Sequence, residues 1–259
     1  MTTHAKPAAT VILVRPDLTI LLMRRSKKAS FFPSAWVFPG GRVDDADKHI
    51  SCYGEITGLD HNYFAVAAIR ECFEEAGIWF GIGNPTAELR TGLNNRNMTL
   101  ADAPHLKANL DKMELWSWWI TPENEPKRYD TRFFICELSE DESKNTKVDN
   151  NEMVEYQWLT AEEALKQHAT KTLPLAPPTF VTLCEIFDQQ SKTSMELMRH
   201  ASERNVEAIM PQHQKRDFDG SECLEILFPS HPNHHNKNKN PYLKGTSVIF
   251  SDQQWHWCS

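Results

Sequence analysis

Apolar residues fall in short runs separated by turn formers. AATVILVR, residues 8–15, and LTILLMR, residues 18–24, are aliphatic and β-branched and flank Pro16-Asp17, which predicts a hairpin of buried strands. A third strand is expected to end at Trp36-Val37-Phe38, where Pro39-Gly40-Gly41 interrupts pairing. Farther on the period changes. In FAVAAIRECFEEAGI, residues 64–78, Val66, Ile69, Cys72 or Phe73, and Ala76 recur at steps of three and four, and Gly77 supplies a stop, so an amphipathic helix is expected.

LWSWWI (115–120), RFFICEL (132–138) and EYQWL (155–159) read as strands, the first two joined through Pro122 and Pro126. Thr160 and Glu163 have capping-box spacing, so a helix should begin at about Ala161. Further helices are expected from Pro178 to Gln189 and from Thr193 to Ile209. Strands with interspersed helices predict one α/β domain, with residues 1–204 assigned to it. Residues 205–259 read as a small β appendage, in which CLEILF and TSVIF flank a polar, low-complexity loop, HPNHHNKNKNP, at residues 231–241.

Composition narrows the function classes. With 35 acidic against 28 basic residues the formal charge is −7, which disfavours a general nucleic-acid or anionic-membrane binder. Six cysteines lie far apart without a C-x-x-C pair, which argues against a disulfide framework or zinc ribbon and for a reducing compartment. The apolar run before Arg15 is too short for a signal-peptide core or a membrane span, and Trp257-Cys258-Ser259 is not a peroxisomal address of the S-K-L type. A soluble, cytoplasmic protein is expected. Nothing readable specifies oligomeric state, and a homodimer stays open.

The densest chemistry lies in the segment from Arg70 to Ile78. On a helix Glu71, Glu74 and Glu75 sit at i, i+3 and i+4 and project from one face, where like charges repel unless a cation comes between them. Clustered oxygen ligands suit Mg²⁺ or Mn²⁺. Arg70, four residues before Glu74, can hold it in place. Upstream, Gly40-Gly41 allows close backbone approach to a metal or phosphate, and Arg24, Arg25, Lys27 and Lys28 concentrate positive charge suited to an anionic substrate. An isolated E-x-x-E-E is usually a solvated face, but here a Gly-Gly loop precedes it and apolar residues occupy the opposite face.

The chain at this point resembles the Nudix hydrolases, whose box runs Gly, five residues, Glu, seven residues, then Arg-Glu-hydrophobic-x-Glu-Glu-x-Gly-hydrophobic. Residues Arg70 to Ile78 match every fixed position, and Gly41 matches the opening glycine. Asp47 stands at the first glutamate, and the gap from 48 to 69 is 22 residues, 15 more than seven, with the insertion at about 48–63. The split box, FPGGRVDDAD and TPENEPKRYDTRFF look like the branch containing the mammalian peroxisomal coenzyme A diphosphatase. The coenzyme A signature of such enzymes is matched by Leu21, Leu22, Arg25, Ser26 and Phe38 to Gly41, and departed from at Met23, Ser30 and Ser34.

The resemblance implies a Nudix-type α/β/α sandwich with a mixed β-sheet and metal-dependent hydrolysis of a nucleoside diphosphate linked to another group, first coenzyme A or acyl-coenzyme A. ADP-ribose, NADH and dinucleoside polyphosphates are alternatives, as is a non-catalytic nucleotide-binding module. It also implies that Glu71, Glu74 and Glu75, with the Gly40 carbonyl, are metal ligands and that Arg70 orients them. Glu152 is the candidate general base and Glu155 its competitor. Arg24, Arg25 and Arg132 are the candidate substrate contacts.

Four features carry plainer readings beside functional ones. The tryptophans of LWSWWI either stack on an adenine or fill core, and Arg128 to Arg132 either approaches substrate or forms a turn with an Arg–Asp pair. His231, His234 and His235 are expected in a solvated loop rather than on a metal. Cys72, facing the core, is not expected to act as a nucleophile.

Overall fold

β1 (Lys6–Val14) is buried on both sides, with Ala9, Val11 and Leu13 turned to one apolar cluster and Ile12 and Val14 to another. The computed structural model describes residues 4–29, 32–236 and 240–258; Ser30 of the upstream signature, residues 237–239 of the polar loop and Ser259 lie outside the described residues. After β1 come β2 (Ile20–Arg25), β3 (Trp36–Val37), β4 (Gly40–Arg42), β5 (Cys52–Tyr53), α1 (Tyr63–Ala76), α2 (Ala87–Asn94), β6 (Ala108–Asn109), β7 (Met113–Ile120) and β8 (Tyr129–Glu137). There follow α3 (Glu140–Ser143), β9 (Met153–Leu159), α4 (Ala161–Ala169), α5 (Pro177–Gln189), α6 (Ser194–Ser202), β10 (Ala208–Ile209), β11 (Gln212–Phe218), β12 (Ser221–Leu227), β13 (Ser247–Ser251) and β14 (Gln254–Cys258).

An eight-stranded mixed sheet runs β10-β7-β8-β1-β2-β3, with β4 also on β1 and β9 on β2. β1 and β8 are parallel in register from Lys6↔Tyr129 to Val14↔Glu137. The predicted β1–β2 hairpin pairs only at Val14↔Ile20. Beyond that pair the strands part: β4 takes the facing edge of β1 from Ala8 to Thr10 and β3 that of β2 at Met23 and Arg24, while β8 and β9 hold their other edges. The parting places Gly40 and Gly41 beside the middle of the sheet.

α1 covers the face of Ala9, Val11, Leu13, Leu21 and Met23, while α4, α5 and α6 cover that of Ile12, Ile20 and Leu22, giving an α/β/α sandwich. Gly77 takes the left-handed conformation, φ 72°, that ends α1, and the Thr160 hydroxyl accepts the Glu163 N–H at the start of α4. The helix expected over Thr193–Ile209 stops at Ser202. Arg204 turns inward to Glu185 Oε2 at 3.0 Å, and Ala208 and Ile209 pair with Trp118 and Trp119 in the main sheet, across the division drawn at residue 204.

The C-terminal strands form a four-stranded antiparallel sheet, β11-β12-β13-β14, whose Ile226, Phe228, Val248 and Trp255 join the apolar cluster of α5. His168 ties it down: its Nε2 accepts the Trp255 backbone N–H at 2.9 Å while Nδ1 donates to Leu173 O at 3.1 Å. His234 departs from the expected solvated loop. It is buried, donating from Nε2 to Met210 O and accepting the Asn236 N–H at Nδ1, both at 2.9 Å. Among the described residues no helix is long and apolar enough to cross a membrane.

Candidate active site

The apolar stripe of α1 fixes where its carboxylates go. Val66, Ile69, Cys72, Phe73 and Ala76 are buried against the sheet, which turns Glu71, Glu74 and Glu75 toward β4. A Cβ at Gly41 would lie 2.5 Å from the Glu71 carboxylate carbon, so the glycine lets that carboxylate lie against the β4 backbone where any side chain would push it aside. The Gly40 N–H donates to Glu75 Oε2 at 2.9 Å.

Arg70 organises the cluster from beneath. Its Nη1 donates to Glu71 Oε1 at 2.9 Å and Glu74 Oε1 at 2.7 Å, and its Nη2 to Arg42 O at 2.8 Å. On its other edge Asp47 accepts a bidentate pair, from Nε at 2.8 Å and Nη2 at 2.9 Å. Asp47 is only 1% exposed and also accepts the Asp44 N–H at 2.8 Å, so both its oxygens are engaged. In this arrangement the aspartate positions Arg70 and is turned away from metal binding. The insertion leaves the pair intact by folding outside it: residues 45–49 form a 3₁₀ turn, β5 pairs with β6, and Ile56 packs into the core.

Burial pushes the Glu71 carboxyl up to about 7; Arg70 opposes this, whereas Glu74 and Glu152 add repulsion. Burial and the Glu71 charge raise Glu75 well above the carboxylate range, offset in part by the Gly40 N–H and Arg25. Glu74 is raised by burial against the pull of Arg70. Burial works against the charge on Arg70, but Glu71, Asp47 and Glu74 outweigh it and hold the guanidinium protonated.

These groups share a cavity of about 850 Å³ with Gly40, Gly41, Arg25 and Glu152. Among the described residues no three acidic, His or Cys side chains are already drawn together as a metal cluster, since Arg70 and the Gly40 N–H occupy carboxylate oxygens. The donor chemistry nonetheless fits a hard divalent ion: oxygen ligands crowd one wall, and two of them are buried where ionisation is disfavoured without a further cation.

Three candidates lie elsewhere. Arg24 pairs with Glu155 at 2.9 Å and neither lines the cavity. Arg132 is corrected as a substrate contact, because strand alternation turns Tyr129, Thr131 and Phe133 to the cavity and Arg132 to the opposite face. There its guanidinium lies 3.7 Å from the Trp118 ring centre and 4.4 Å from that of Phe64, and it pairs with Asp130 and Asp60. The Arg–Asp structural reading of this segment is the one the geometry supports.

The sequence did not single out Arg42, Arg96, Leu224, Ile226 or Trp255, all of which line the cavity. CLEILF reads as a strand, but nothing in its pattern marks it as a cavity wall. Of the tryptophans in β7, Trp116 is core, Trp118 stacks on Arg132 and Trp119 lines the cavity.

A family model described as NUDT19 Nudix domain matches residues 55–186. The putative nudix hydrolase 7 of Caenorhabditis elegans is 28% identical over 198 residues, covering 72% of this chain and 62% of that protein. The acyl-coenzyme A diphosphatase NUDT19 of Gallus gallus is 27% identical over 253 residues, covering 74% of this chain and 66% of that protein. The chain thus spans between 62% and 66% of the length of these two relatives. Among solved structures, a Nudix hydrolase from Alicyclobacillus acidocaldarius superposes with a TM-score of 0.66 at 24% identity, over 77% of this chain and 97% of its own, and shares the fold.

Proposed function

This chain belongs to the Nudix hydrolase family, in the NUDT19 branch, and on that premise we propose that it is a divalent-metal-dependent diphosphatase that cleaves the pyrophosphate of coenzyme A or its acyl thioesters. The observation that carries the reading is the convergence of Glu71, Glu74, Glu75, Glu152, Arg25 and the Gly40-Gly41 backbone in one cavity. A protein with no anionic ligand and no metal would have no chemical need for three crowded acids, Glu75 buried and Glu71 and Glu74 mostly so, that resist ionisation.

In this reading Glu71, Glu74, Glu75 and the Gly40 carbonyl would hold Mg²⁺ or Mn²⁺, which when bound would supply Lewis acidity toward the phosphoryl oxygens and positive charge toward the leaving phosphate. Arg70, itself locked by Asp47, sets the carboxylate rotamers, so the ligands need little reorganisation. Arg25 binds an outer phosphate, and Glu152, on the same cavity wall, accepts a proton from the attacking water. The coenzyme A assignment is supported by the NUDT19 relative's name and by the match of Leu21, Leu22, Arg25 and Ser26 to the upstream signature, of which Arg25, at the end of β2, lines the cavity.

Incubation of the full chain with coenzyme A and either ion should release 4′-phosphopantetheine and 3′,5′-ADP. Absence of both products, with ADP-ribose or NADH cleaved under the same conditions, would remove coenzyme A as substrate and leave the diphosphatase reading standing.

A further inference from the structure

Past the carboxylates the cavity continues onto the other face of the sheet, and its character changes. Trp119 and Phe133 of the sheet, Pro177 at the start of α5, and Leu224, Ile226 and Trp255 of the C-terminal sheet line this part. Both indole N–H groups are used inside the protein: Trp119 donates to Ser117 Oγ at 3.2 Å and Trp255 to Leu175 O at 3.0 Å. The two rings therefore offer the cavity carbon surface and no free donor. At its edge Leu224 is 40% exposed and lies opposite Phe250, 39% exposed, in the β12–β13 register, so the apolar surface runs out onto the rim.

The polar side chains beside this wall, Glu125 and His213, the latter opposite Ile226, are paired with each other at 3.0 Å, and the apolar surface itself does not recognise phosphate. The side chains that can, Arg25, Arg42 and Arg96, line the same cavity from β2, β4 and the turn after α2, beside α1. The cavity is thus chemically divided, with anionic recognition near the carboxylates and an apolar compartment roofed by the C-terminal sheet. A ligand matching that division carries charge at one end and a hydrocarbon group at the other.

We propose that the compartment formed by Trp119, Phe133, Pro177, Leu224, Ile226 and Trp255 is the subsite for the acyl group of a coenzyme A thioester, and that the C-terminal sheet sets the acyl preference. The inference rests on the coenzyme A reading above and adds to it the residues that select among thioesters.

The test is equilibrium binding to the metal-free full chain, by calorimetry, of coenzyme A and its acetyl, hexanoyl and decanoyl thioesters, with kcat/KM for the same series in Mg²⁺. Affinity should tighten by about threefold to fourfold for each methylene the compartment buries, then level off when it is full. Leu224→Asp, at a half-open position that tolerates charge without unfolding, should lower the decanoyl-to-free affinity ratio roughly tenfold, with an unchanged melting temperature. A second variant, Phe250→Asp on the rim, should lower it less.

Equal affinity for coenzyme A and decanoyl-coenzyme A, or an unchanged ratio in Leu224→Asp, would overturn the subsite while leaving coenzyme A hydrolysis intact. Failure to bind or cleave any coenzyme A compound, with ADP-ribose cleaved, would overturn the substrate reading and the subsite together.

Discussion

Glu71→Gln removes a carboxylate that burial and its acidic neighbours hold at about 7, against an ordinary value of 4.5. The folded chain therefore keeps that proton over a pH range in which the unfolded chain has lost it. The associated stability is fully present below about 4.5 and is lost as pH rises through about 7, so the metal-free protein should weaken over that window and then level off. At about 1.36 kcal/mol per pH unit the full penalty at pH 8 is roughly 3 kcal/mol, and since Glu71 shares it with Glu74 and Glu152, removing one partner should recover about 1–3 kcal/mol. In a chain of this size that is a rise in melting temperature of roughly 3–10 °C. Thermal unfolding followed by tryptophan fluorescence, in chelator from pH 5 to 8, measures it. Glu71→Gln should melt above wild type at pH 8, the gap should shrink toward pH 5, and Mg²⁺ should stabilise wild type far more than the variant. A variant that melts at or below wild type at pH 8 in chelator would refute the claim that the acids are crowded for a cation.

Three further outcomes are expected. Asp47→Ala leaves the buried Arg70 without its bidentate partner and should cost about 3–5 kcal/mol in urea unfolding; an unchanged midpoint would mean that the pair does not hold the site. Arg25→Glu should raise KM on the order of tenfold, whereas Arg24→Glu, which breaks a half-exposed pair with Glu155, should leave kinetics unchanged and cost about 1 kcal/mol or less; the reverse order would put substrate on the other arginine. Burial lowers the His168 pKa below 6.5, so the folded state resists a proton the unfolded state takes, and His168 should cost stability as pH falls below about 6.5. His168→Gln keeps an acceptor for the Trp255 N–H and should remove that component from the pH dependence of the unfolding midpoint; an identical acid profile would exclude it.

Much of the site could be read from the sequence because one helix carries it. The three- and four-residue spacing that buries Val66, Ile69 and Cys72 also dictates that Glu71, Glu74 and Glu75 share the other side, and Gly77 marks the end through the left-handed conformation it adopts. The position of Asp47 relative to Arg70 was not legible, since 23 residues separate them and only the folded insertion shows that they meet. Local patterns likewise failed where the partner is distant: β1 and β2 adjoin in sequence yet take β4, β8 and β9 as their main neighbours. Arg132 was misplaced because a motif gives no parity along a strand, and one residue of shift moves a side chain to the other face. The segment after α6 looked helical because its composition does not reveal that Arg204 is drawn in by Glu185, and His234 looked solvated because its carbonyl and amide partners are backbone groups.

The central claim is that the carboxylates of α1 run a metal-dependent hydrolysis, and turnover by wild type and Glu74→Gln on coenzyme A, acyl-coenzyme A and ADP-ribose, with Mg²⁺ or Mn²⁺ and with chelator, tests it most directly. The account predicts metal-dependent cleavage by wild type and a fall on the order of a hundredfold or more in the variant, about 2.7 kcal/mol of barrier, with its melting temperature no lower than that of wild type. Equal rates in the two proteins, or full turnover in chelator, would contradict it.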